Sequence, residues 1–174
     1  ITNMSARAHD GMPTVEVLFG AKEKGVTLSA IFTPEHGLNG DREGVIGDSS
    51  YNGVPVYSLY GDRFTPASSS LDGIDTIVFD LQDVGVRFYT YASTMKRAMK
   101  VAAEKKLRFV VLDRPNPIGG ADVQGPVLAE TDVKGFVNHH ALPLRHGMTM
   151  GELARLFLED DKMTDTLRLD VVRM

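Results

Sequence analysis

Two short apolar runs in this chain end the same way, and that shared ending constrains the fold more than any other feature. Ile74-Asp75-Thr76-Ile77-Val78-Phe79-Asp80 and Arg108-Phe109-Val110-Val111-Leu112-Asp113 are rich in β-branched and aromatic residues, and each stops on an aspartate. Near-continuous hydrophobicity is expected of a strand covered on both faces. Between the two runs, Met95, Ala98, Met99 and Ala102 fall on one side of a predicted helix over 91–105, with lysines and an arginine on the other. Strand, helix and strand in succession predict parallel pairing with a crossover.

The rest of the chain extends the pattern. Pro13, then Val15, Leu18 and Phe19 on one face, then Gly25, predict a helix over 13–24. The apolar run 28–33 empties into Pro34-Glu35-His36-Gly37 as a buried strand does at its end. Residues 39–52 are polar and glycine-rich, and are expected to form a long functional loop without a regular element. A short strand over 54–60 and a helical turn at 68–70 follow. After a proline- and glycine-rich stretch from 114 to 145, Thr149-Met150-Gly151-Glu152 reads as a capping box opening a helix through 158, and 167–172 is the last strand. The class is therefore α/β, with one parallel sheet carrying helices on both faces and residues 1–174 forming a single domain. Ile1-Thr2-Asn3 and Val171-Val172-Arg173-Met174 read as strand material cut mid-element, so a fragment truncated at both ends is expected.

Composition narrows the function classes. With 43% hydrophobic and 24% charged residues in 174, the chain has the balance of a folded globular domain. A net charge of -4 and no basic patch argue against a nucleic-acid partner. The absence of cysteine excludes a disulfide scaffold, a thiol nucleophile and thiolate metal sites. No apolar run approaches the ~20 residues of a membrane span. Dinucleotide and phosphate-loop glycine motifs are absent, as is the Gly-x-Ser-x-Gly elbow, so no cofactor is expected and serine hydrolases lose support.

In open parallel sheets ligands bind beyond the carboxyl ends of the strands. Three predicted strands deliver polar groups there: Glu35 and His36; Asp80, Gln82 and Asp83; Asp113, Arg114 and Asn116. Carboxylates crowded in a partly desolvated crevice repel, which keeps one protonated for acid catalysis. Glu35, fixed by Pro34 with Gly37 allowing close approach, is the best single acid, although it could also cap a turn or pair with an arginine. Asp80 and Asp83 divide evenly between catalysis and structural bonding, for example to Arg87. Arg87, Tyr89 and Tyr91 could hold a carboxylate and stack on a sugar, or pack an edge. Two prolines stiffen the loop carrying Asp113, Arg114 and Asn116, for which a rigid turn is the bland alternative. Glu152 is assigned to the capping box. His139, His140 and His146 lack a recognised ligand spacing, so no metal site is assigned; a metal-assisted hydrolase using Asp80, Asp113 and the histidines stays as an alternative. A non-catalytic sugar-binding module is a second alternative.

Five segments in order then carry a resemblance: Phe32-Thr33-Pro34-Glu35-His36-Gly37, Val54-Pro55-Val56-Tyr57-Ser58-Leu59-Tyr60-Gly61, Asp80-Leu81-Gln82-Asp83-Val84-Gly85-Val86-Arg87-Phe88-Tyr89-Thr90-Tyr91, Leu112-Asp113-Arg114-Pro115-Asn116-Pro117-Ile118-Gly119-Gly120 and Arg145-His146-Gly147-Met148-Thr149-Met150-Gly151-Glu152-Leu153-Ala154. Together they resemble the NamZ-type exo-β-N-acetylmuramidase family across nearly the whole chain; only the segment 4–10 is unfamiliar. The resemblance implies a Rossmann-like catalytic domain, joined in longer relatives to a C-terminal domain absent here, with the cleft between the two. It implies a bacterial glycosidase of cell-wall recycling that releases N-acetylmuramic acid from the non-reducing end of peptidoglycan fragments. Glu35 maps onto the family's proposed catalytic glutamate. Asp83, or the substrate's own acetamido group, would support the transition state. His36, Arg87, Tyr89, Asp113, Arg114, Asn116, Arg145 and His146 would line the substrate site, with Arg87 or Arg145 reading the lactyl carboxylate. Such a substrate points to a secreted or periplasmic location.

Overall fold

The computed structural model describes residues 1–40, 44 and 46–173. Its strands are β1 (Ile31–Thr33), β2 (Ser49–Tyr51), β3 (Val54–Ser58), β4 (Thr76–Phe79), β5 (Arg108–Leu112) and β6 (Arg168–Val172); its helices are α1 (Thr14–Phe19), α2 (Thr90–Lys105) and α3 (Met150–Asp160). Two three-stranded sheets form, in the orders β1-β3-β2 and β4-β5-β6. All pairings are parallel except β2 with β3. Residues 1–3 join the two sheets: Thr2 N–H donates to the Phe32 carbonyl at 2.9 Å, and Asp80 N–H donates to the Ile1 carbonyl at 3.0 Å. The result is a continuous twisted layer of Rossmann-like type.

The strand pleat assigns the two faces. Phe32, Ile77, Phe79, Phe109 and Val111 belong to the main core with Met95, Ala98 and Met99 of α2 and Leu153, Ala154 and Phe157 of α3. On the other face Ile31, Val54 and Val56 enclose Val15 of α1. Helices thus lie on both faces, α2 and α3 on one and α1 on the other over β1 and β3, while β4 and β5 bury alternate residues. A Lys96 amino group, buried where α2 meets α3, donates to the His139 carbonyl at 3.0 Å and lies 3.4 Å from Asp161, tying the 136–142 loop to both helices.

Two local expectations are corrected. The helix expected over 13–24 stops at Phe19 and resumes as one 3₁₀ turn, Lys22–Lys24, with Pro13 capping it from outside; Gly25, at φ +81°, ends the turn as expected. The loop expected over 39–52 contains the edge strand β2. Its cause is legible: Asn52 and Gly53, at φ +48° and +82°, form a two-residue hairpin turn that sets Tyr51 opposite Val54. Residues 41–43 and 45 of that loop lie outside the described residues. Among the described residues no helix is long and apolar enough to cross a membrane.

Candidate active site

β1 ends at Thr33, and a tight turn follows in which Gly37 N–H donates to the Pro34 carbonyl at 3.1 Å. His36 and Gly37 are both left-handed, at φ +72° and +70°. A side chain at Gly37 would come within 2.8 Å of Ile46, so glycine is required there for conformation and for space. This turn delivers Glu35, half-buried, to the start of α2. The Thr90 hydroxyl donates to the Glu35 carboxylate at 3.1 Å. The Tyr60 hydroxyl, just past β3, bonds the same carboxylate, and that bond first, then the carboxylate's charge, holds the phenol above its ordinary pKa. Beneath them Tyr91 is buried, accepts from the Asn3 amide at 2.8 Å and packs edge-on against Tyr89 with centroids 4.6 Å apart. Burial first, then its bond with Tyr89, raises the Tyr91 pKa. Glu35 is therefore oriented by two hydroxyl donors at the carboxyl-end rim of the sheet, beside the N-terminus of a 16-residue helix.

Asp83 and His146 meet in a second buried nest after β4. Asp83 is 6% exposed, one oxygen accepting from Gly85 N–H at 2.8 Å while the other is buried without a partner. Burial pushes its pKa up to about 6, against the smaller opposing effect of the loop amides. His146 accepts from Met148 N–H through Nδ1 at 3.2 Å, which leaves the proton on Nε2, 3.9 Å from the Asp83 carboxylate. Burial lowers the His146 pKa. Asp83 is ionised above about pH 6, and both groups keep unspent hydrogen-bonding capacity.

The other expected site residues have structural work. Asp113 accepts from Thr149 Oγ1 at 2.9 Å and from Gly151 N–H at 2.7 Å, clamping the start of α3. Thr149 and Glu152 complete the predicted capping box. Arg114 grips the fully buried Asp80 through two bonds of 2.5 and 3.0 Å, with the Thr14 hydroxyl donating to the same carboxylate at 2.6 Å. Asn116 bridges Met148 and Ile118. Arg87 donates to the Pro126 and Leu142 carbonyls, and Arg145 to the Ile118 carbonyl and Gln124 while pairing with Asp122. Asp80, Asp113 and the histidines are not gathered at one point: among the described residues no three carboxylate or imidazole side chains could share a metal ion. A hollow of about 670 Å³ lies on the α1 side, lined by residues of α1, the stretch 25–32 and β4, and Glu35 is not part of its wall.

Sequence reasoning had no role for Tyr60 or Thr90, although both lie inside the quoted segments. Neither is readable from spacing alone, because Tyr60, Thr90 and Glu35 come together only through the β1–β3 pairing and the entry of α2.

Known proteins resemble this chain over nearly its whole length. The family described as the N-terminal part of exo-beta-N-acetylmuramidase NamZ matches residues 1–174. The peptidoglycan beta-N-acetylmuramidase NamZ of Bacillus subtilis is 45% identical over 161 residues, which are 90% of this chain and 38% of that protein. Two crystal structures of DUF1343 family proteins from Bacteroides fragilis superpose with TM-scores of 0.85 and 0.76 at 42% and 35% identity. They cover 98% and 99% of this chain, and the chain spans 43% and 44% of theirs. The chain spans less than half the length of these relatives, and with a family match over its full extent it belongs to the NamZ N-terminal family.

Proposed function

We propose that this chain carries the acid-bearing half of the active site of an exo-acting N-acetylmuramidase, and that Glu35 is its general acid/base. One observation carries the reading: a carboxylate fixed by Thr90 and Tyr60 at the carboxyl-end rim of the sheet, where α/β folds bind ligands. The B. subtilis relative supports the substrate class by its name, a peptidoglycan beta-N-acetylmuramidase. In the reaction Glu35 gives its proton to the glycosidic oxygen as the bond to the anomeric carbon breaks, then takes one from the attacking water. Asp83, which titrates near 6, is an ionised partner for the oxocarbenium-like transition state above that pH. The substrate's 2-acetamido oxygen is the competing internal nucleophile.

The reading puts the remainder of the cleft on a C-terminal domain of the longer protein, and a cell-wall substrate makes a secreted or periplasmic location its natural extension. The test is release of free N-acetylmuramic acid from a defined muramoyl disaccharide by the full-length protein. Activity is expected to survive chelators and to fall in Glu35→Gln. Inhibition by chelators would favour the metal-assisted alternative, and binding without release would favour a sugar-binding module.

A further inference from the structure

Tyr60 does more than orient Glu35. Its ring meets Phe64 edge-on, with centroids 5.9 Å apart, and Phe136 at 6.1 Å; Phe64 and Phe136 lie 4.5 Å apart. All three rings are half-buried. The Arg97 guanidinium stands 5.4 Å from the Phe136 centroid and 5.8 Å from that of Phe64. Arg97 follows Thr90 by seven residues on α2, hence on the same helix face and about 10 Å further along the axis. Its one hydrogen bond is to the Gly135 carbonyl at 3.1 Å, and among the described residues no carboxylate pairs with it. Arg87 and Arg145, the arginines expected to read an acidic substituent, are instead spent on loop carbonyls and side chains.

Resting on the glycosidase reading, we propose that Tyr60, Phe64, Phe136 and Arg97 form a saccharide subsite contiguous with Glu35, the aromatic rings taking the C–H face of a pyranose and Arg97 its carboxylate substituent. The occupant follows from the chemistry of the strip. Aromatic rings that keep part of their surface exposed suit a rigid apolar ring face. A guanidinium without an ionic partner, backed by two rings, suits a planar anion held through two parallel bonds. Tyr60, shared by both clusters, sets the strip's beginning at the catalytic carboxylate. A sugar that bears a carboxylate satisfies both halves, and a neutral amino-sugar only one.

Binding of N-acetylmuramic acid and of N-acetylglucosamine to the full-length protein, followed by ligand-observed NMR titration, tests this directly. Neither monosaccharide offers a bond to cleave, so the result is independent of whether the protein is a glycosidase. Phe136→Ala is expected to weaken both sugars about tenfold, the loss of one aromatic contact. Arg97→Gln is expected to weaken only N-acetylmuramic acid, by about tenfold or more, the loss of a charge-assisted pair. Phe136→Tyr, which keeps the ring, should retain wild-type affinity and guards against a folding defect in the alanine variant. Wild-type affinity for both sugars in Arg97→Gln, equal weakening of both, or no binding by the wild type would overturn the proposal.

Discussion

Replacing Asp83 by asparagine should stabilise the protein at neutral pH and do nothing for it in acid. The carboxyl group is 6% exposed and its pKa is moved from 3.8 to about 6, so the folded state holds the proton more tightly than the unfolded state by about two pH units. Well below pH 3.8 both states are protonated and the group's stabilising contribution is fully present; it is lost as pH rises through 6. At about 1.4 kcal/mol per unit the loss reaches about 3 kcal/mol by pH 7.5. An asparagine keeps an oxygen for Gly85 N–H and carries no charge to desolvate. Urea unfolding of both proteins at pH 4, 6 and 7.5 should show the variant ahead by little at pH 4 and by up to about 3 kcal/mol at pH 7.5, a midpoint shift of about 1–2 M. His139, whose pKa burial pushes down to about 3, adds the opposite pH slope, but equally to both proteins. A gap that does not change with pH, or a variant less stable at pH 7.5, would refute the desolvation argument. The same measurement shows what a buried acid at the site costs the fold.

Other expectations follow from the same contacts. Arg114→Ala leaves Asp80 buried without its cation and should cost about 3–5 kcal/mol in denaturant unfolding, far more than a surface pair. Thr149→Ala removes the cap of α3 and one donor to Asp113, a loss of about 1 kcal/mol by the same measurement. His139→Leu removes a buried ring with neither nitrogen partnered. It should resist acid better than wild type, with a gap that opens below pH 6.5 and reaches about 2 kcal/mol at pH 5 in thermal or urea unfolding.

The layered α/β fold was written in 74–80, 91–105 and 108–113, because there local propensity and hydrophobic pattern agree. The same agreement made the Thr149 capping box readable to the residue. Strand β2 was missed although its hairpin signal, Asn52-Gly53, stands in the sequence, because a polar, half-exposed edge strand has no hydrophobic pattern to accompany it. At the site, the strand-end rule pointed to the rim where Glu35 stands. Its partners Tyr60 and Thr90 were not, since their meeting depends on tertiary pairing rather than spacing. Asp80, Asp113 and Arg114 show the converse. Charged residues at strand ends look catalytic in sequence, yet here Arg114 neutralises Asp80 and Asp113 holds the first turn of α3. The unfamiliar segment 4–10 also has a place: the Arg7 carbonyl accepts from Arg114, and Ser5 is bonded to Asn3 beside the Tyr91 hydroxyl.

The central claim is that Glu35 donates a proton to the leaving oxygen, and leaving-group dependence interrogates that step most directly. Turnover by full-length wild type and Glu35→Gln should be compared on a muramoyl disaccharide, whose sugar oxygen needs protonation, and on a muramoyl nitrophenyl reporter, whose phenolate does not. The account predicts a loss of about 10²–10⁴-fold on the disaccharide and a much smaller loss in cleavage of the reporter. Equal losses on both substrates, or a disaccharide rate untouched by the substitution, would contradict it.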